Sequence, residues 1–247
     1  RKRGVAKLRV SAFAKKKAAE RRALIDATKA AQQFYIECAP LRGGHPYLSA
    51  HELSMAGCFG LKVDRNGWLV IPVMLGRDVI SVQRISPEGE KKFWYGASVK
   101  GGSYAINRPG AAVTVLCEGF ATGAAIFAAA PLTRVVVAFN AGNLPNARIP
   151  LGLAVVASDN DHETERRTGK NPGIEAAQRA AVALGCDVAI PLGIVGTDWA
   201  DYRQERTADR LANMTRKDRE SDIRRAVDAE IAAAMMRNAR FVCAEAA

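Results

Sequence analysis

Three carboxylates stand where apolar runs of the chain give way to turns. Glu118 follows Val113-Thr114-Val115-Leu116-Cys117, and Asp159 and Asp161 follow the run from Leu153 to Ala157. Acids crowded without partners repel one another and lose hydration, which disfavours their charged forms. A divalent cation reverses the sign of that cost. Mg²⁺ takes hard oxygen ligands, a few carboxylates together with waters and phosphate oxygens. The i, i+2 spacing of Asp159 and Asp161 aims two carboxylates at one ion, or at two neighbouring ions, as a strand opens into a loop. A single Asp at a strand end is more often a turn former. Three acids after two such strands point to metal-assisted chemistry on phosphates.

A second set of residues offers positive charge. Arg84, Lys91, Lys92 and Lys100 lie close in sequence to Trp94, Tyr95, Gly101 and Gly102. Basic groups beside small residues can hold a nucleic-acid backbone or a triphosphate, and aromatic rings can stack on bases. The plainer alternative is a solvated face over core aromatics. His45, His51 and His162 are the only histidines, and none has a partner at i+4. His162 follows the Asp pair and is read as a loop residue. No Gly-x-Ser-x-Gly, Walker or Gly-x-Gly-x-x-Gly pattern occurs, which removes support for triad hydrolysis, P-loop chemistry and dinucleotide binding. The five cysteines (Cys38, Cys58, Cys117, Cys186 and Cys243) show no close pairing, so no zinc is expected and reduced thiols are.

The elements that position these groups are legible in outline. Residues 5–36 are alanine-rich and read as a helix, broken at Ala39-Pro40-Leu41-Arg42-Gly43-Gly44. Ser49 is the expected cap of a short helix through His51, Glu52 and Leu53. Runs at Trp68–Val73, Val79–Ile85 and Lys91–Tyr95, punctuated by Asn66-Gly67 and Ser86-Pro87-Glu88-Gly89, read as a small antiparallel sheet. After Pro109, apolar strands at Val113–Cys117, Arg134–Phe139, Leu153–Ala157 and Val188–Ile190 alternate with helices. One helix spans Thr122 to Ala130, and another is capped by Asn171 and Pro172 and stopped by Gly185. Near-continuous apolar strands between helices imply a parallel sheet covered on both faces, with ligands at the strands' carboxyl ends. Glu118 and the Asp159/Asp161 pair are therefore expected to meet on one edge.

Charge is unevenly spread. The chain carries a net +11, and residues 1–30 hold eleven Lys/Arg against Glu20 and Asp26. A basic arm of this kind suits a polyanion, with salt-sensitive binding. Residues 203–240 are a charged helical tail of mixed sign. No apolar run spans a bilayer, and no signal-peptide pattern occurs, so a cytoplasmic protein without membrane contact is expected. The chain opens on Arg1 rather than Met, which leaves room for an upstream domain.

The order strand–Glu118-Gly119–helix, strand–Asn140-Ala141-Gly142-Asn143-Leu144, strand–Asp159-Asn160-Asp161–helix, strand resembles the Toprim domain over roughly residues 110–202. That domain is shared by bacterial-type primases, type IA and II topoisomerases and some nucleases. Upstream, His45-Pro46-Tyr47-Leu48, Gly67–Val73, Val82-Gln83-Arg84-Ile85 and Lys91-Lys92-Phe93 are similar to phage- and plasmid-encoded Toprim primases. The resemblance implies metal ligands at Glu118, Asp159 and Asp161, with a further acid after the last strand at Asp198; Asp201 is the weaker match. It departs in one respect: such primases carry an amino-terminal zinc-binding module, and its cysteines are absent here.

The expected fold is α/β, a Toprim-type parallel sheet flanked by helices. A small strand-rich α+β subdomain and a basic N-terminal helix precede it, and a helical C-terminal tail follows. The expected divisions are a basic arm (1–38), a strand-rich half of a primase core (39–108), the Toprim domain (109–202) and the tail (203–247). The implied activity is primer synthesis, a nucleotidyl transfer from NTPs on a single-stranded DNA template with Mg²⁺ or Mn²⁺. A helicase or a zinc-binding module is the implied protein partner. A Toprim nuclease using the same metals and a non-catalytic DNA-binding replication accessory protein remain the rival readings; a topoisomerase subunit is disfavoured by the length.

Overall fold

The computed structural model describes residues 2–215 and 218–242; Cys243 lies outside the described residues. Helix α1 (Lys2–Glu37) runs the length of the arm. Residues 13–26 are exposed along it, whereas Ala31 is fully buried. Its carboxyl end is fixed by side chains of the first sheet. Gln32 Nε2 donates to the Val79 carbonyl at 2.8 Å, and Lys62 Nζ donates to the Tyr35 and Ile36 carbonyls at 2.6 and 3.2 Å. A lysine on the last carbonyls satisfies acceptors that the helix itself leaves open.

The first sheet is an antiparallel meander of β1 (Ala39–Pro40), β2 (Lys62–Val63), β3 (Leu69–Leu75), β4 (Asp78–Ile85) and β5 (Lys91–Phe93), in that spatial order. Helix α2 (Pro46–Ala50) lies between β1 and β2. Ser49 is not its cap, contrary to the expectation from sequence. His45 is, with its Nδ1 accepting from the Tyr47 amide at 3.2 Å, because Pro46 is pre-set for the first helical position. Strand β3 is apolar on both faces for a physical reason. Leu69, Ile71 and Val73 face the main core, while Val70 and Val82 of β4 pack beneath Phe34 and Tyr35 of α1.

The second sheet is built from β6 (Tyr104–Ile106), β7 (Val113–Cys117), β8 (Thr133–Val137), β9 (Gly152–Ala157) and β10 (Asp187–Ala189), in the order β10-β9-β7-β8-β6. Strands β8, β7, β9 and β10 are parallel, as expected, and β6 closes one edge antiparallel to β8. Helix α3 (Phe120–Ala129) follows β7, a 3₁₀ helix (Ala141–Asn146) follows β8, and α4 (His162–Thr168) and α5 (Pro172–Leu184) follow β9. Asn171 and Gly185 cap α5 at its two ends, Gly185 in the left-handed conformation. Helices α6 (Trp199–Ala212) and α7 (Glu220–Arg237) and strand β11 (Arg240–Val242) complete the chain.

Alternation along the strands divides the interior. Leu116, Val136, Ala154 and Val156 face Ala176, Ala177 and Ala180 of α5. Val115, Val135 and Val155 face the other way, into one continuous core shared with α3, α7 and the first sheet. Two features lay beyond the sequence reading. Strand β6, from the strand-rich stretch, is hydrogen-bonded into the second sheet, and β11 pairs with the first half of β9. The tail is thus built into the core. Val227, Ile231 and Met235 of α7 are fully buried at i, i+4 and i+8. Among the described residues, no helix is long and apolar enough to cross a membrane.

Ile231→Ala should lower unfolding stability by about 2–5 kcal/mol, as expected for truncating a sealed core side chain. Urea unfolding of the variant checks this; a change within experimental error would mean that the tail is not part of the folding unit.

Candidate active site

The parallel pairing of β7 and β9 fixes the site. Cys117 is opposite Ala157, so the two chains leave the sheet together and Glu118 emerges beside the turn of Asp159 and Asp161. Burial pushes the Asp159 carboxyl up from 3.8 to about 8, with the charges of Asp198, Glu118 and Asp161 adding to the effect and Lys91 opposing it. Burial likewise raises Glu118, with Asp161 adding to it, while the Ala141 amide and Lys91 act the other way. Four carboxylates therefore lie in one another's field.

Each acid is held differently. Asp161 Oδ2 accepts from the Gly173 amide at 2.9 Å, in the first turn of α5, where a helix end favours an anion. Asp198 is the N-cap of α6: its Oδ1 accepts from the Ala200 and Asp201 amides at 2.7 and 2.9 Å, and its Oδ2 from Thr122 Oγ1 at 2.9 Å. Asp201 completes a capping box, its Oδ2 accepting from the Asp198 amide at 3.3 Å and also from the Thr197 amide at 2.8 Å. Glu118 is anchored through its backbone, the carbonyl accepting from the Phe139 amide at 2.8 Å. Phe139 has φ of 73°, a sparsely populated conformation for an aromatic residue of the kind that persists where surrounding contacts hold it. Asp159 differs: its Oδ1 is buried and has no hydrogen-bond partner among the described residues.

An orphaned buried carboxylate oxygen amid repelling acids fits a divalent cation by donor type: hard oxygens with no competing protein donor. Among the described residues, no three His, Cys, Asp or Glu side chains converge as a ready-made ligand group. Mg²⁺ commonly draws on one or two carboxylates with waters and substrate phosphates, so full protein convergence is not required.

The predicted basic residues do not form one cluster. Strand alternation divides them, because Lys92 is in register with Arg84 while Lys91 is in register with Ile85. Lys91 turns toward the acids, its charge acting on both Glu118 and Asp159. Arg84 turns under α1, 3.7 Å from Asp64 and 5.6 and 5.4 Å from the Phe34 and Trp68 rings. Lys92 lies 2.8 Å from Glu90 and 5.1 Å from the Trp68 ring. Lys100 sits in the loop before Gly101 and Gly102. That loop is tied to the second sheet by Asn143, whose Oδ1 accepts from the Gly101 amide at 2.7 Å and whose Nδ2 donates to the Gly102 and Ala138 carbonyls at 2.8 Å. Asn143 and Phe139 give no sign of these roles in sequence; Thr122 gives only a hydroxyl in the first turn of α3.

The electrostatics have a measurable consequence. Because Asp159 titrates higher folded than unfolded, its contribution favours the fold at low pH and is lost as pH rises from near 3.8 toward about 8. Each unit of that shift is about 1.4 kcal/mol, so the neutral isostere gains on the order of a few kcal/mol at the upper end. Asp159→Asn should raise the melting temperature of metal-free protein by several degrees at about pH 8 and far less at about pH 5. Parallel melts with chelator check this, and an equal effect at both pH values would refute it. Gly173→Ala should destabilise, since its Cβ would lie 2.5 Å from the Asp159 carbonyl oxygen.

Comparison with known proteins adds a family to this geometry. The family described as the Toprim domain matches residues 113–209. The chain is 29% identical over 168 residues to a DNA primase TraC of Escherichia coli, covering 63% of this chain and 11% of that protein. A second Escherichia coli DNA primase TraC is 31% identical over 122 residues, covering 45% of this chain and 11% of that protein. The chain thus spans about a tenth of the length of these curated relatives. Among solved structures, the primase fragment of the bacteriophage T7 primase-helicase protein matches with 13% identity and a TM-score of 0.46, over 72% of this chain and 78% of that one. Glu118, Asp159, Asp161 and Asp198 all fall inside residues 113–209, the stretch that is similar to the Toprim domain, and the curated relatives of the chain are DNA primases by name.

Proposed function

We propose that this chain carries out DNA-dependent primer synthesis, joining NTPs on a single-stranded DNA template by metal-dependent nucleotidyl transfer. The observation that carries the reading is Asp159. Its unpartnered buried oxygen sits among acids that repel it, and Lys91 of the first sheet is the opposing charge. Glu118, Asp159 and Asp161 are the residues that would hold Mg²⁺ or Mn²⁺, with Asp198 beside them. A bound ion would supply a lowered pKa for the attacking 3′-hydroxyl and a counter-charge for the leaving pyrophosphate.

The chain's own part is positioning and charge. The Gly173 amide keeps Asp161 oriented, and Thr122 with the α6 amides keeps Asp198 oriented. Lys91 presents an ammonium group where a triphosphate would meet the acids. Lys100, on a loop pinned by Asn143, offers a further contact to NTP or template. Arg84 of β4 and Lys92 of β5, paired on the face of the sheet opposite Lys91, suit a template backbone better than the triphosphate, because they lie away from the acids. The basic arm supplies sequence-independent attraction for single-stranded DNA. The same acids would serve a nuclease. Lys91, contributed by the first sheet, favours a bound nucleotide triphosphate and so favours synthesis. A helicase or zinc-binding module would act alongside.

Incubation with single-stranded DNA, labelled NTPs and Mg²⁺ or Mn²⁺, followed by sizing, tests the reading. Asp159→Asn should cut incorporation by more than about a hundredfold while leaving the fold and most DNA affinity intact. Retained incorporation by that variant, or shortening of the template in place of synthesis, would overturn the proposal. Removing residues 1–30 should weaken single-stranded DNA binding and flatten its dependence on salt, since most of the excess charge goes with them. An unchanged salt slope would remove the arm from DNA binding.

A further inference from the structure

Asn171 makes more hydrogen bonds than a helix cap requires. It is 5% exposed. Its Oδ1 accepts from the Ile174 amide at 3.2 Å, which is the capping bond, and from the Asp161 amide at 3.1 Å. Its Nδ2 donates to Asn160 Oδ1 at 2.9 Å and to Glu165 Oε2 at 3.0 Å. Three of the four bonds thus run to the turn that carries Asp159 and Asp161, or to α4 directly after it. Asn160 extends the tie. Its Nδ2 donates to the Pro191 carbonyl at 3.1 Å and its amide to the Thr197 carbonyl at 2.7 Å, in the loop that leads to Asp198.

We infer that Asn171 is a positioning residue for the acid site. Through the Asp161 backbone and Asn160 it fixes the turn in the one shape that presents Asp159 and Asp161 to a divalent cation. This rests on the metal-binding reading of those acids. The chemistry of the position is specific, because only a primary amide accepts through one atom and donates twice through another. Aspartate would lose both donors and add charge beside Asp161 and Glu165. Serine would keep the cap and lose the clasp. Asn171 touches no reacting group and acts only through the turn.

The test measures Mn²⁺ affinity directly, by electron paramagnetic resonance of the free ion, on the whole chain without nucleotide or DNA. Asn171→Ser keeps an oxygen for the Ile174 amide and should melt close to wild type. Its Mn²⁺ affinity should nonetheless fall about tenfold or more, as when an outer-shell partner of a metal ligand is lost. Asn171→Ala, which also loses the cap, should melt lower yet bind Mn²⁺ about as weakly as the serine variant, separating positioning from stability. Asp159→Asn is the reference. If it loses Mn²⁺ affinity while Asn171→Ser binds like wild type, the clasp is overturned and the metal-binding reading stands. If Asp159→Asn itself binds like wild type, that reading falls and the clasp with it. Should Asn171→Ser fail to fold, Asn160→Ala cuts the same tie and leaves the cap, and wild-type Mn²⁺ affinity in that variant overturns the proposal.

Discussion

Strands β7 and β9 run parallel, in register and next to each other, so whatever follows Cys117 must meet whatever follows Ala157. The chain places acids at both exits. Burial and like charge make that arrangement unfavourable for a bare protein, and the raised Asp159 and Glu118 carboxyls express the conflict. The neighbouring structure relieves it only in part. Helix amides take Asp161 and Asp198, and the Thr122 hydroxyl takes the remaining oxygen of Asp198. Among the described residues, nothing takes Asp159 Oδ1. That open oxygen is what the proposed metal binding would use.

The opposing charge comes from the other sheet, which makes the relation between the two sheets part of the site. Leu69, Ile71 and Ile85 share a core with Val115, Val137 and Val155, and Asn143 joins the Gly101–Gly102 loop to the end of β8. Lys91 is therefore set by folding and not by later docking of two independent halves. The period of two along β5 does the rest. It sends Lys91 to the acids and its neighbour Lys92 to the opposite face with Arg84, so adjacent lysines acquire different duties from a single backbone step.

Much of this was legible from residues in order, because the informative signals were local. Apolar runs of strand length, the Asn171-Pro172 start and the Gly185 stop of α5 each depend on chemistry within a few residues, and the structure follows them. The adjacency of Glu118 to the Asp pair followed from the rule for parallel sheets. What was not legible depended on pairing at a distance. Strands β6 and β11 are three residues long and owe their pairing to the sheet they join. The division of Lys91 from Arg84 required the register of β5 against β4. The positive φ of Phe139 had no signal at all, since an apolar aromatic after a strand looks like more strand. Asp198 is both the cap of α6 and a charge acting on Asp159, whereas Asp201 closes the capping box.

The strongest positive charge and the acid site act at different ranges. The basic group whose charge acts on Glu118 and Asp159 is Lys91 of the first sheet, not a residue of the arm. Under the proposed function the arm's excess charge would raise the local concentration of a polyanion without altering what happens at the acids, whose own charge would repel an incoming phosphate. That repulsion has to be removed within a few ångströms, and the groups near enough are Lys91 and whatever Asp159 Oδ1 receives. Affinity for a nucleic acid and competence at the acid edge would then belong to separate parts of the chain. Salt should tune the first strongly and the second weakly.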